Sequence, residues 1–141
     1  MTLNAIELQL RLVGALLLGV AALGVAVHRH FRWGDEIQRL TLLTRQVFLV
    51  HSAFVIVVLA MLGAMLLTVA PALLAPGPLP RAVLIGLIVM WTARLLAQWF
   101  FYDPSLWRGD RFRTFMHVLF SVLYAYFVAT FALALYAQTN G

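Results

Sequence analysis

The sequence has no cysteine and no lysine, and only five carboxylates among its 141 residues. Without thiols there are no disulfides, thiolate metal sites or cysteine nucleophiles, and the redox compartment stays undetermined. None of the carboxylates falls in the four long apolar runs, 12–27, 47–70, 82–101 and 115–137, so a proton relay across a membrane lacks its usual carrier. No catalytic or cofactor motif of high specificity is present. Ser52 directly follows His51, but adjacent residues on a helix point in different directions and do not make a nucleophile and base pair.

Apolar residues dominate instead. They make up 64% of the chain against 11% charged, where a soluble domain carries roughly a quarter charged. Three of the four runs reach the roughly 20 residues that span a bilayer core, and the first does so if it starts near Ile6. Backbone polar groups in lipid must be satisfied internally, so each run predicts a helix, and short connections make neighbours run up and down. The expected fold class is all-α: an integral membrane antiparallel four-helix bundle, one transmembrane domain over 1–141. Its spans are expected at about 6–27, 47–70, 82–101 and 115–137, with cytoplasmic loops at 28–46 and 102–114.

All ten basic residues are arginine, giving a net charge of +5, but they are scattered over connections and form no continuous patch for nucleic acid. Arg29, Arg32, Arg39, Arg45, Arg108, Arg111 and Arg113 fall on one side of the predicted topology, Arg11 and Arg81 on the other. The positive-inside rule then puts both loops in the cytoplasm and both termini outside, in a plasma membrane of the bacterial inner-membrane kind. The small residues "GVAV" ending the first run suggest a signal peptide, but Glu7 and Arg11 precede the run and the basic "HRHFR" follows it, so it reads as a retained span. Thr2 stands where myristoylation requires glycine.

Small residues on the first span, Gly14, Ala15, Gly19, Ala22, Gly24 and Ala26, are suited to close helix packing. Asp35 with Gln38 resembles a capping box for the second helix, and an interfacial elbow is expected before the span proper. "APALLAPGPLP" is too rich in Pro and Gly to continue a helix and reads as a tight outer turn. Trp33, Trp99, Tyr102 and Trp107 suit an aromatic belt at the cytoplasmic boundary, and Arg108-Gly109-Asp110 matches an adhesion tripeptide by chance.

One constellation carries chemistry. Trp91, Arg94 and Gln98 are spaced i, i+3, i+7 on the third helix, and His117, Ser121 and Tyr124 have the same spacing on the fourth. His51 lies near the same level on the second. Arg94 is about 10 Å inside the boundary, where an ionisable group either serves a site or snorkels to lipid phosphate or the Asp103 carboxylate. These seven residues form the candidate site of a small non-enzymatic membrane protein, a ligand-binding module or a subunit of a membrane assembly or oligomer. Its partner would be anionic or aromatic: a lipid head group, a quinone or a haem. The alternatives are a haem b electron-transfer subunit with His51 and His117 as axial ligands, and a small transporter.

Overall fold

The computed structural model describes residues 2–30, 39–103, 105 and 109–140. Its four helices are α1 (Leu3–His30), α2 (Leu42–Leu74), α3 (Pro78–Phe100) and α4 (Arg111–Asn140). The described residues contain no strand. Each helix is long and apolar enough to cross a membrane, as expected from the four runs. The helices outrun the apolar runs at most ends, because the intrahelical ladder continues until a cap or a breaker stops it, not where hydropathy falls.

Those caps are specific. The Thr2 carbonyl accepts from the Ala5 and Ile6 N–H groups at the start of α1. Thr41 opens α2: its Oγ1 accepts from the Thr44 N–H at 3.4 Å and its carbonyl from the Arg45 N–H at 2.9 Å. The sequence-predicted capping pair, Asp35 and Gln38, lies outside the described residues, as do Trp33 and Trp107. α4 is opened by Asp110, whose Oδ1 accepts from the Phe112 and Arg113 N–H groups at 2.9 and 3.1 Å. Gly109 precedes it at φ +92°, a backbone shape that favours glycine. Two residues of the chance tripeptide therefore have a structural reason to be there. Asp110→Ala is expected to cost about 1 kcal/mol of stability in detergent and Asp110→Asn much less, measured by thermal unfolding.

The outer connection departs from expectation. The helix continues through Pro71 to Leu74, with a kink at Val69, where φ is −115° and ψ 19°. Proline has no N–H to give the carbonyl four residues back, which is that of Leu67. The turn proper is confined to residues 75–77, after which Pro78 occupies the first turn of α3, where a missing N–H costs nothing.

The chain divides into two compact units. One comprises Arg11–Val69, the greater part of α1 and of α2. Here the two helices run antiparallel, with Arg11 meeting Leu67, Gly14 meeting Gly63 and Gly24 meeting Ile56. A Cβ on Gly14 would stand 2.8 Å from the Gly63 carbonyl oxygen, and one on Gly63 would stand 2.8 Å from that of Gly14. Glycine at both positions is what lets the backbones touch. The Arg11 guanidinium donates to the Leu67 carbonyl, the group that Pro71 leaves without its helical donor.

The other unit comprises Met1–Leu10 and Ala70–Gly141. Here α3 and α4 pack antiparallel through Trp91 against Tyr124 and Phe127, and through Gln98 against His117. Tyr126 donates its hydroxyl to Gln9 Oε1 near the start of α1. Gln138 Nε2 donates to the Leu73 and Ala75 carbonyls at 3.3 and 2.7 Å, satisfying acceptors at the end of α2 that have no further helical turn.

Candidate functional site

The site grows from two helical stripes. On α3, one turn separates Trp91 from Arg94 and another separates Arg94 from Gln98, and α4 offers His117, Ser121 and Tyr124 in the opposite direction. Antiparallel packing sets Gln98 beside His117 and Trp91 beside Tyr124, so six of the seven predicted residues join one run of contacts. The seventh, His51, belongs to the other unit, where its side chain is exposed.

At the end nearest the α3–α4 connection, Gln98 is only 8% exposed, a buried amide that needs a partner. It has one in His117: Gln98 Nε2 and His117 Nδ1 are 3.0 Å apart. The Ser121 hydroxyl donates back to the His117 carbonyl at 2.8 Å and accepts the Trp99 indole N–H at 3.2 Å. Trp99, assigned from sequence to a generic belt, thus makes a specific bond between α3 and α4.

One turn deeper, the Arg94 guanidinium carbon lies 5.1 Å from the centre of the Tyr124 ring and 5.9 Å from that of Tyr102. The faces of the two phenols supply negative potential to the cation. Among the described residues no carboxylate pairs with Arg94. Asp103, a sequence-predicted partner for it, instead accepts the Ser105 N–H at 2.7 Å. That backbone bond, aided by the Ser105 side chain, holds the exposed carboxyl below its ordinary range. Arg94 also hydrogen-bonds the Tyr124 side chain, and it brings its remaining N–H donors and a full positive charge to the site.

Trp91 closes the deep end. It is buried edge-on against Phe127, at 4.8 Å and 78°, and tilted against Tyr124 at 5.4 Å. Its indole N–H is buried with no hydrogen-bond partner.

Beside the Gln98–His117 pair lies an open cavity of about 350 Å³. Gln98, His117, Tyr102 and Arg113 supply its polar lining, and Phe112, Met116 and Phe120 its apolar lining. Sequence reasoning missed Phe112, Met116 and Phe120, although they recur every four residues on α4 and so share a face. It also assigned Arg113 only to topology. No group of three or more potential metal ligands occurs among the described residues.

The fold and site thus define an all-helical protein with four helices apolar enough to cross a membrane and a cationic, aromatic-lined cluster on two of them. No family model, curated protein or solved structure matches the chain.

Proposed function

We propose that this chain is a small non-enzymatic integral membrane protein that binds an anionic or aromatic amphiphile at the α3–α4 cluster, as a ligand-binding module or a subunit of a membrane assembly. The four helices form an antiparallel bundle in a bacterial inner membrane, with both termini outside and the cluster on the cytoplasmic side, in keeping with the distribution of arginines. The observation that carries the reading is Arg94, set between two tyrosine faces with no carboxylate among the described residues to neutralise it. A charge in this place is costly without a partner, and a ligand oxygen anion supplies one. The neighbouring cavity, at about 350 Å³, is within the size range of small-molecule sites and combines apolar walls with a few convergent polar groups.

Native mass spectrometry of protein extracted in mild detergent tests the reading. Wild-type protein should carry a retained small molecule, and Arg94→Leu should lose most of it while keeping its helical circular dichroism. Equal retention by both proteins would rule out Arg94 as the anchor. The haem b reading draws on His117, which lines a cavity walled by Phe112 and Phe120. It requires a Soret band that vanishes in both His117→Ala and His51→Ala. No specific observation favours transport.

A further inference from the structure

We infer that the group recognised at this site is a phosphate anion, that of an acidic phospholipid entering from the bilayer. The inference rests on the binding reading above and narrows its ligand class.

Three observations converge on it. First, the site holds a cation with no carboxylate partner among the described residues. Arg94 lies 5.9 Å from the ring of Tyr102, and Tyr102 lines the cavity together with a second arginine, Arg113. Arg113 is paired with Asp110, whose Oδ2 is 3.4 Å from its Nε and whose Oδ1 is occupied in capping α4, whereas no carboxylate pairs with Arg94. A neutral quinone makes no use of this excess charge, whereas a phosphate does, because guanidinium donors match its oxygens in geometry and sign.

Second, the arginine is within reach of the interface. Arg94 lies six residues before Phe100, the end of α3, so its Cα is about 9 Å from that end. Its guanidinium lies 5.1 Å from the Tyr124 ring and 5.9 Å from that of Tyr102, beyond the end of the helix, a depth from which an arginine stem can snorkel to a lipid phosphate.

Third, the cavity is amphipathic. Its polar groups, Gln98, Tyr102, Arg113 and His117, lie beside apolar walls of Phe112, Met116 and Phe120, and it is open, which suits the glycerol and upper acyl chain of a lipid better than a small soluble anion.

Delipidated full-length protein in detergent provides the test. It is titrated with phosphatidylglycerol, phosphatidylcholine and a short-chain ubiquinone, and bound adducts are counted by native mass spectrometry. The expected result is a clear preference for phosphatidylglycerol that falls about tenfold in Arg94→Leu and about threefold in Arg113→Leu. It should be unchanged in Arg81→Leu, an exposed cation at the other end of α3. Arg94→Lys, which keeps the charge, should retain part of the preference and guards against simple misfolding. Displacement of the lipid by millimolar inorganic phosphate would support the anion chemistry and assign its source to soluble phosphate.

Equal binding of phosphatidylglycerol and phosphatidylcholine would overturn the inference while leaving the pocket in place. So would saturable binding of ubiquinone alone. Wild-type protein that retains none of the three, and emerges from membranes carrying nothing, would sink both the inference and the binding reading beneath it.

Discussion

Gly63→Leu is expected to separate α1 from α2, giving protein that aggregates in mild detergent or unfolds far below the wild-type temperature. The cause is backbone meeting backbone. Even an alanine Cβ at this position falls 2.8 Å from the Gly14 carbonyl oxygen and 2.9 Å from Leu18 Cγ. The leucine side chain can turn away, but the carbonyl moves only if the helices part. Gly63→Ala is therefore expected to cost about 1–3 kcal/mol, the range for overpacking a close-fitted contact, and Gly63→Leu more. Gly19 supplies the control, because a Cβ there meets nothing within 4 Å. Gly19→Ala should be neutral or slightly stabilising, since alanine is the better helix former. Equal melting temperatures for Gly63→Ala and Gly19→Ala in thermal scans would show that the close approach is not made.

Arg11→Met is the second large effect. It should remove the donor that serves the Leu67 carbonyl and leave that oxygen in an apolar setting at a cost of about 1–3 kcal/mol. The need for Arg11 has an identifiable origin in Pro71, so a second substitution should remove it. In a Pro71→Ala background the new backbone N–H can serve Leu67, and Arg11→Met should then cost much less. A double-mutant cycle read by equilibrium unfolding isolates this coupling from whatever else Arg11 contributes. The same loss in both backgrounds would disprove the link between the arginine and the proline.

The four long apolar helices were legible because hydropathy over 20 residues is a strong signal, and the candidate site was half legible because i, i+3, i+7 spacing puts Trp91, Arg94 and Gln98 on one stripe whatever the packing. What could not be read was which stripe meets which. The pairing of Gln98 with His117 depends on the register of α3 against α4. The cavity depends on Phe112, Met116 and Phe120, which in one dimension are indistinguishable from lipid-facing aromatics and methionines. Pro71 misled for a related reason. Proline breaks an isolated helix, but it is tolerated inside one when a residue elsewhere, here Arg11, satisfies the carbonyl it releases. Local propensity contains no information about a donor 56 positions away. Asp110 was visible as a residue and not as a cap, because the apolar run that marks the fourth helix starts only at Phe115, five residues beyond it.

The bond from Arg11 to Leu67 also bears on how the chain is made. In the proposed membrane setting α1 is synthesised before α2, with an arginine about 12 Å from the start of the helix and the matching acceptor still untranslated. An arginine at the centre of a span opposes insertion by roughly 2.5–3.5 kcal/mol, and less toward the ends. On that reading α1 and α2 gain from entering the bilayer as a hairpin, in which the end of α2 accepts the Arg11 guanidinium. On the same reading, the carbonyl that Pro71 releases is the acceptor that α2 brings to the arginine of α1.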